Sequence, residues 1–453
     1  MSEAADTTAE LLALAEKVVA SAGPGEQVEA YVSRGGETDI RVYQGQLEHF
    51  VSAQSEGIGV RVIREGRTGF AYAGVLDEAA VAEVLAEARD NAAFGSPDEW
   101  AGLAEPDGVS VTPQVLWDDA VVRVSAERKV ALAEELERIP LAADPRVRVE
   151  SANYSDGWGE AAVATSTGIR ASGRENGCFV SVGTLADDGG ETQSGFGFAV
   201  GRDPEALDLG RAANDGADRA TRLLGATKPS STRATIVLDP YVTAQFLGIV
   251  SATLNGEAVV KGRSVFADRV GSAVAAPQVH LVDDPTNPLA YTATDIDGEG
   301  LAARRNTLIE GGVLRRFVHN SYSARRAGAV STGNAVRGGF KGTPGVGCLA
   351  IQLTPGLRSQ AELVESVGTG ILIQSVKGMH SGVNPISGDF STGATGLVIS
   401  DGAVGAPLRE FTIASTLQRM LLDIVEIGGD LEWLPSRAAG MSLVISDVTV
   451  SGA

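Results

Sequence analysis

Few side chains in this sequence suit covalent or metal chemistry, and the most suggestive of them stand in one glycine-rich stretch near the C-terminus. It reads Gly378-Met379-His380-Ser381-Gly382-Val383-Asn384-Pro385-Ile386-Ser387-Gly388-Asp389-Phe390-Ser391-Thr392-Gly393-Ala394-Thr395-Gly396. Gly378, Gly382, Gly388 and Gly393 rule out an ordinary helix, because each glycine costs about 1 kcal/mol relative to alanine in a helix interior. They suit a backbone that turns tightly or approaches something closely. A second block, Asn320-Ser321-Tyr322-Ser323-Ala324-Arg325-Arg326-Ala327-Gly328-Ala329-Val330-Ser331-Thr332-Gly333-Asn334, carries an arginine pair in an acidic chain. Guanidinium forks there could hold a peptide carboxylate or a partner's acidic groups. Arg325, Arg326, Asn334, His380 and Asp389 are therefore the candidate contacts to substrate or partner, and the four glycines the candidate backbone loop.

Other chemistries find little support. The histidines are His49, His280, His319 and His380, and none is followed by glutamate, so no H-E-x-x-H helix exists. His319 and His380 could meet in the fold, but no spacing requires it. Asp295-Ile296-Asp297-Gly298-Glu299-Gly300 imitates the start of a calcium loop, yet its twelfth position is Asn306 instead of the bidentate glutamate. An acidic surface turn is expected there. No Gly-Lys dipeptide supports a phosphate loop, and no G-x-S-x-G elbow occurs. Cys348 sits among apolar neighbours and reads as a buried, inert thiol. Arg304-Arg305 and Arg315-Arg316 read as solvated surface charge.

The 453 residues exceed one ordinary core and imply two or three domains. With 37 basic and 58 acidic residues the net charge is −21, which repels phosphate backbones and argues against nucleic-acid binding. Two cysteines cannot make a disulfide framework. The start, Met1-Ser2-Glu3-Ala4-Ala5-Asp6, lacks a basic region followed by an apolar run, and no apolar stretch approaches membrane-spanning length. A cytoplasmic protein without membrane contact is expected.

A capping-box pattern, Thr7-x-x-Glu10, opens a helix that Gly23-Pro24-Gly25 stops. Strand-like runs follow at Val28–Ser33, Asp39–Tyr43, His49–Gln54, Gly57–Ile63 and Thr68–Ala73, with turns at Arg34-Gly35-Gly36 and Arg64-Glu65-Gly66. Asp77 caps a second helix whose Val81, Val84, Leu85 and Ala88 share a face. Residues 95–118 read as a linker. A helix at Ser125–Ile139, four strands between Val147 and Val200 and a helix at about Pro204–Leu224 repeat the order helix, strands, helix. The polar segment Gly225–Ser231 is the best boundary. Beyond it lie a strand at Ala234–Leu238, a helix at Tyr241–Leu254, many short β runs, a helix at Leu417–Ile427 and a closing strand at Ser442–Val450. The expected fold is α+β with two lobes, the N-terminal lobe of helices and antiparallel strands and the C-terminal lobe β-rich. The domains are set at 1–110, 111–228 and 229–453.

The two blocks resemble the TldD/PmbA family of metallopeptidases, in its PmbA (TldE) branch. Ala414-Ser415-Thr416-Leu417-Gln418-Arg419-Met420-Leu421 with Val425-Glu426-Ile427-Gly428-Gly429-Asp430 looks like the family's C-terminal helix and turn. The resemblance implies a protease family acting on unfolded or small peptides, including peptide maturation, whose active and inactive branches pair as heterodimers. The active branch carries H-E-x-x-x-H plus a cysteine ligand. Here Leu247 and Ala252 fall at the histidine positions, Gly248 at the glutamate, and no cysteine follows Cys348. The resemblance thus implies a subunit with no catalytic residue, no metal and no cofactor of its own. It also implies a TldD-like partner bearing a divalent metal, zinc by expectation, with a homodimer where that partner is lacking. The ligand would be a peptide. The alternatives are a self-sufficient peptidase with a site around His319, His380 and Asp389, and a regulatory protein-interaction role.

Overall fold

Residues of alternating character build the N-terminal lobe, and a computed structural model describes residues 3–452, with side chains from residue 8 onward except that of His380. Helix α1 (Glu3–Val19) precedes strands β1 (Glu26–Tyr43), β2 (Gln46–Arg64) and β3 (Arg67–Ala73), and α2 (Glu78–Phe94) follows. Because α1 begins at Glu3, Thr7 lies inside the helix, not at its start; the Thr7 side chain is outside the described ones. Asp77 caps α2 by accepting from the Ala80 N–H, and Val81, Val84, Leu85 and Ala88 are buried.

Five expected strands are in fact three long ones. The chain turns at Gln44-Gly45 and Glu65-Gly66, where both residues of each pair have positive φ, the geometry of tight hairpins. Gly35 and Gly36 continue β1 instead of breaking it. A Cβ on Gly35 would stand 2.7 Å from the Trp158 carbonyl oxygen, and one on Gly36 2.5 Å from the Trp158 indole nitrogen. These glycines admit a close neighbour, a use that the sequence does not separate from turning.

The second helix–strands–helix unit comprises α3 (Asp119–Arg123), α4 (Ala126–Ala143), β4 (Val147–Thr165), β5 (Arg170–Asp187), β6 (Thr192–Gly201) and α5 (Leu209–Thr221). The two units share one antiparallel sheet in the order β3-β2-β1-β4-β5-β6, so the first strand of each unit meets at the centre. Val28, Ala30, Val32, Ile40 and Val42 of β1 are buried in the two cores that α1 and α2, and α4 and α5, build on one face. The alternate residues, Tyr31, Ser33, Gly35 and Glu37, face a cavity on the other.

The C-terminal lobe contains, in order, β7 (Thr232–Leu238), α6 (Pro240–Thr253), α7 (Gly256–Val260), β8 (Leu281–Asp283), β9 (Asn306–Glu310), β10 (Val313–Leu314), α8 (Ser321–Ala327), β11 (Ala335–Val336), β12 (Gly345–Val346) and β13 (Ile351–Leu353). Then come α9 (Gln360–Val367), β14 (Gly370–Lys377), α10 (Met379–Gly382), β15 (Asp389–Ser400), β16 (Ala403–Thr416), α11 (Leu417–Leu422), β17 (Ile424–Ile427), β18 (Glu432–Trp433), β19 (Ala439–Gly440) and β20 (Leu443–Ser451). The main sheet runs β16-β15-β14-β7-β20-β17, and a further β16–β20 pairing closes its first five strands on themselves. The late helix is shorter than expected. It ends at Leu422, and Ile424–Ile427 pairs with β20 because its β-branched residues fill a strand better than a helix turn.

The segment 95–118 is a strap fastened to the C-terminal lobe. Tyr322 Oη donates to Asp98 at 2.8 Å, Arg304 pairs with Asp107 at 2.6 Å, and Gln114 donates to the Thr286 carbonyl. Arg304 is thereby a tether and not free surface charge. Beside the strap, Arg337 crosses from the second lobe to Glu29 at 2.6 Å, and Arg61 reaches the same carboxylate at 2.7 Å. The two guanidinium groups outweigh the desolvation of Glu29 and hold its pKa below the usual carboxylate range.

Candidate functional site

Two cavities lie between the lobes. The larger, of about 790 Å³, is bounded by β1, β4 and β5 on one side and by the segments 291–298 and 335–341 on the other. The smaller, of about 590 Å³, lies between β4, β5 and β6 and helix α6. Arg437 borders both. Their volumes are those of small-ligand and peptide clefts.

Helix α6 supplies one wall of the smaller cavity because its sequence breaks an apolar pattern along one stripe. Leu247 and Phe246 enter the main core, whereas Tyr241, Ala244, Gln245, Gly248 and Ser251 border the cavity at helical spacing. The helix is fixed at its start. Asp239 accepts from the Tyr241 N–H and pairs with Arg219 of α5 at 2.8 Å. Arg219 also lies 4.8 Å over the ring of Phe196, which meets Tyr241 at 4.4 Å between centroids. Phe196, Phe198, Tyr241 and Leu434 give this cavity an apolar wall. Ser151, Asn153 and Ser181 give it a polar floor, with the Asn153 amide donating to the Ser181 hydroxyl at 3.2 Å.

The larger cavity is more charged. Arg34 and Glu160 pair across its sheet side at 2.7 Å. Glu175 faces it, and desolvation raises the Glu175 pKa while Arg202 opposes the rise. Asp295, also at its wall, is shifted upward by burial, and its Oδ1 has no hydrogen-bond partner. The Arg437 guanidinium makes no hydrogen bond or ion pair among the described residues, in a chain whose other cavity-lining guanidinium groups are engaged.

The residues singled out from the sequence go to three places, and no described side chain among them lines either of these two cavities. Arg325 clamps the strap: it donates to the carbonyls of Trp100 at 2.9 Å, Gly102 at 2.5 Å and Leu103 at 3.2 Å. Arg326 is exposed and reaches Tyr322 Oη at 3.4 Å. Asn334 is fully buried. Its amide donates to Asp283 at 2.6 Å and to the Gly347 carbonyl, and its oxygen accepts from Asn306 and Thr332. Burial pushes Asp283 up to about 6, although the Leu349 and Ala350 N–H groups and Asn334 stabilise its charge.

Asp389 lies in the glycine-rich loop, exposed, and accepts from the Ser387 hydroxyl at 2.7 Å. Gly378 and Gly388 have positive φ, 78° and 86°, and a Cβ on Gly388 would collide with the Gln418 amide. Gly382 is needed for a close approach to the Ser391 carbonyl, while a Cβ on Gly393 of β15 would meet Lys377 only at ordinary contact distances of 3.8 and 3.9 Å. The His380 side chain lies outside the described ones. His319 is buried beside Ser323 at 3.1 Å, and desolvation lowers its pKa.

The acidic stretch 295–300 departs from the expected surface turn. Asp297 and Glu299 are buried, 5 % and 0 % exposed. Asp297 accepts from the N–H groups of Glu299, Leu301 and Ala335, and Glu299 accepts from the Ser321 N–H and hydroxyl. Burial, with the neighbouring Glu299 charge, raises Asp297 to about 7. Both cysteines are buried, and burial pushes the Cys178 thiol to about 12 and that of Cys348 well upward, so neither is poised as a nucleophile.

Sequence reasoning missed Arg437, Glu175 and the aromatic wall, which come from segments far apart in the chain. The small and polar stripe of α6 was the one local signal, an interruption of an otherwise apolar helix. Among the described residues no group of three histidine, cysteine or carboxylate side chains is placed to hold a metal, and Leu247, Gly248 and Ala252 offer no donor atom on α6.

Comparison with known proteins gives this geometry its relatives. The chain is 26% identical over 436 residues to the metalloprotease PmbA of Escherichia coli O157:H7, covering 95% of this chain and 94% of that one. It is 25% identical over 407 residues to a metalloprotease of Methanothermobacter thermautotrophicus, covering 87% and 86%. The crystal structure of a Thermotoga maritima protein named for modulation of DNA gyrase superposes with a TM-score of 0.88 at 25% identity, over 98% and 99% of the two chains. TldE from Thermococcus kodakarensis superposes with a TM-score of 0.89 at 23% identity, again over 98% and 99%. Three family models match in succession: PmbA/TldA metallopeptidase domain 1 at residues 28–92, its central domain at 121–224 and its C-terminal domain at 231–452. Spanning most of the chain, they establish that this protein belongs to the PmbA/TldA metallopeptidase family.

Proposed function

We propose that this chain is the TldE-type, non-metal-binding subunit of a metallopeptidase complex, and that its interlobe cleft receives part of an extended peptide. The observation that carries this is α6. Its cavity-facing stripe is intact in shape but holds Gly248 and Ser251, with Leu247 turned into the core. Glycine and leucine offer no donor, and a lone serine hydroxyl does not supply the histidine, cysteine and carboxylate set of a catalytic zinc, so the residues present do not fit a catalytic metal. The chemistry would come from a TldD-like subunit carrying a divalent metal, with zinc expected.

The cleft's own groups support a binding role. Ser151, Asn153 and Ser181 can satisfy a peptide main chain, the aromatic wall can cover apolar side chains, and the free guanidinium of Arg437 can meet a carboxylate. Contacts to substrate or partner by Arg326, Asp389 and the Gly378–Gly396 loop remain part of the proposal. No described helix is long and apolar enough to cross a membrane. A cytoplasmic setting remains part of the proposal.

The test is reconstitution. The purified chain should hold no stoichiometric zinc after dialysis and should not cleave unfolded peptides. Mixing it with an H-E-x-x-x-H subunit should give a stable complex with activity above that of either subunit. Peptide cleavage by the isolated chain with bound zinc would overturn the assignment.

A further inference from the structure

Glu175 stands alone on the sheet floor of the larger cavity. Two residues away on either side, on the same face of β5, are Gly173 and Gly177. Its register partner on β4 is Gly159, which lies opposite Gly35 of β1. A Cβ on Gly159 or Gly173 would meet nothing within 4 Å, so the floor around the carboxylate is bare main chain. A charged residue in a sheet is ordinarily matched by a cross-strand partner. Glu175 has none, and it makes no hydrogen bond or ion pair among the described residues.

The cations that border this cavity are turned elsewhere. Arg34 holds Glu160 at 2.7 Å, and Arg337 holds Glu29 at 2.6 Å. Arg174 lies 4.6 Å over the Trp117 ring and Lys341 5.6 Å over that of Phe340. Arg437 reaches toward Gly347, where a Cβ would lie 3.8 Å from its Nη1. Arg202 donates to the Tyr291 carbonyl at 3.2 Å, and it lowers the Glu175 pKa by less than burial raises it. Asp295, on the facing segment, is also raised by burial, with no cation acting on it. The carboxylates of this cavity are therefore short of positive charge. Two phenol rings lie near Glu175. Tyr291 packs against Gly177, where a Cβ would stand 3.1 Å from its ring, and Tyr31 also feels the Glu175 charge. A carboxylate beside aromatic rings is a setting for an ammonium or guanidinium group.

We propose that Glu175 receives the cationic side chain of a lysine or arginine in the bound peptide, so that the cleft selects basic segments of its substrates. The assignment rests on the peptide-binding role proposed above and adds a determinant of specificity to it. The bare floor leaves room for the apolar stem of such a side chain, and the carboxylate accepts from its N–H groups. A neutral side chain of the same length would fill the space and leave the carboxylate unpaired, which turns the charge into selectivity. The net charge of −21 adds a general attraction for basic segments.

Calorimetric titration of the full chain with alanine–serine nonapeptides tests this. The peptides are acetylated and amidated at their ends and carry lysine, norleucine or glutamate at the centre, so that the central side chain is their only possible charge. The wild type should bind the lysine peptide at least about tenfold more tightly than the norleucine peptide, and the glutamate peptide more weakly still. Glu175→Gln should bring the ratio of lysine to norleucine affinity close to unity, and Glu175→Lys should turn the preference toward glutamate. Melting curves establish that both variants fold, as expected where no partner is lost. Equal affinity for the lysine and norleucine peptides, or a lysine preference that survives Glu175→Gln, would overturn the proposal and leave the peptide cleft standing. Failure of the wild type to bind any of the peptides would overturn the cleft itself and the proposal with it.

Discussion

The two motif blocks, 320–334 and 378–396, look alike in sequence, both rich in glycine, serine and threonine around a few chemical side chains, yet they do opposite things in the fold. In the first, Ser321, Ser323, Thr332 and Asn334 are buried and hydrogen-bonded, and Arg325 holds the strap between the lobes. In the second, Ser387 and Asp389 are exposed, and the glycines at 378 and 388 set the path of a surface loop. The difference teaches that density of polar residues does not identify a reactive site. A buried, satisfied network is a brace, and its loss leaves several groups unpaired at once. An exposed loop loses little when one side chain changes.

That contrast can be broken most directly at Asn334. Asn334→Ala would leave the buried Asp283 Oδ2 without its donor and remove one contact each from the Asn306 amide and the Thr332 hydroxyl, and should cost about 3 kcal/mol. Urea unfolding midpoints measure it; a change below about 1 kcal/mol would mean the network is not a brace. Next in size, Gly388→Ala should cost about 2 kcal/mol from its left-handed backbone and the Gln418 collision. Gly393→Ala, where the new Cβ meets Lys377 at ordinary contact distance and no left-handed φ stands in the way, should be neutral or slightly stabilising. Equal effects at the two glycines would erase the distinction drawn inside the loop.

A smaller effect appears in the pH dependence of the brace. Asp283 and Asp297 have folded pKa values raised to about 6 and about 7 from an ordinary 3.8. The folded state therefore binds these protons more tightly than the unfolded state. The stability they contribute is full below about pH 4 and is lost as pH rises through 6 to 7. Asp144, lowered to about 2 by Arg146, titrates below that window. Buried His319, whose lowered pKa adds stability as pH rises toward 6.5, opposes this drift, so urea midpoints at constant ionic strength should drift downward from about pH 4 to pH 7 more steeply in His319→Gln than in wild type, and a flat or rising profile in that variant would break the account of these buried acids. Smallest of all, Asp389→Asn should cost less than about 1 kcal/mol, since one exposed hydroxyl contact is changed. If peptidase activity of the reconstituted complex falls while the midpoint holds, the loop touches substrate or partner. If activity also holds, the loop is only a turn.

Much of the fold was legible locally. The capped α2, the turn at Glu65-Gly66, the helix after Pro240 and the repeated helix–strands–helix order all rest on interactions between residues near in sequence. Strand length was not legible at Gly35-Gly36, where a glycine that admits Trp158 reads like one that turns the chain. The late helix failed similarly, because pairing with β20 decides the fate of Ile424–Ile427. The family blocks were visible as motifs, but the cavity walls were not.

The sequence by itself determined the α+β class, the acidic surface, the absence of ligating groups at Leu247, Gly248 and Ala252, and the resemblance that the family models bear out. These follow from residue identity and short spacing. Only the tertiary structure decided that Asn334, Asp297 and Glu299 are interior, that Arg325 and Arg337 join the lobes, that Arg437 stands free between two cavities, and that β2 outruns β3. Burial, pairing and free edges depend on which distant segments meet, and that information lies in the packing of the whole chain.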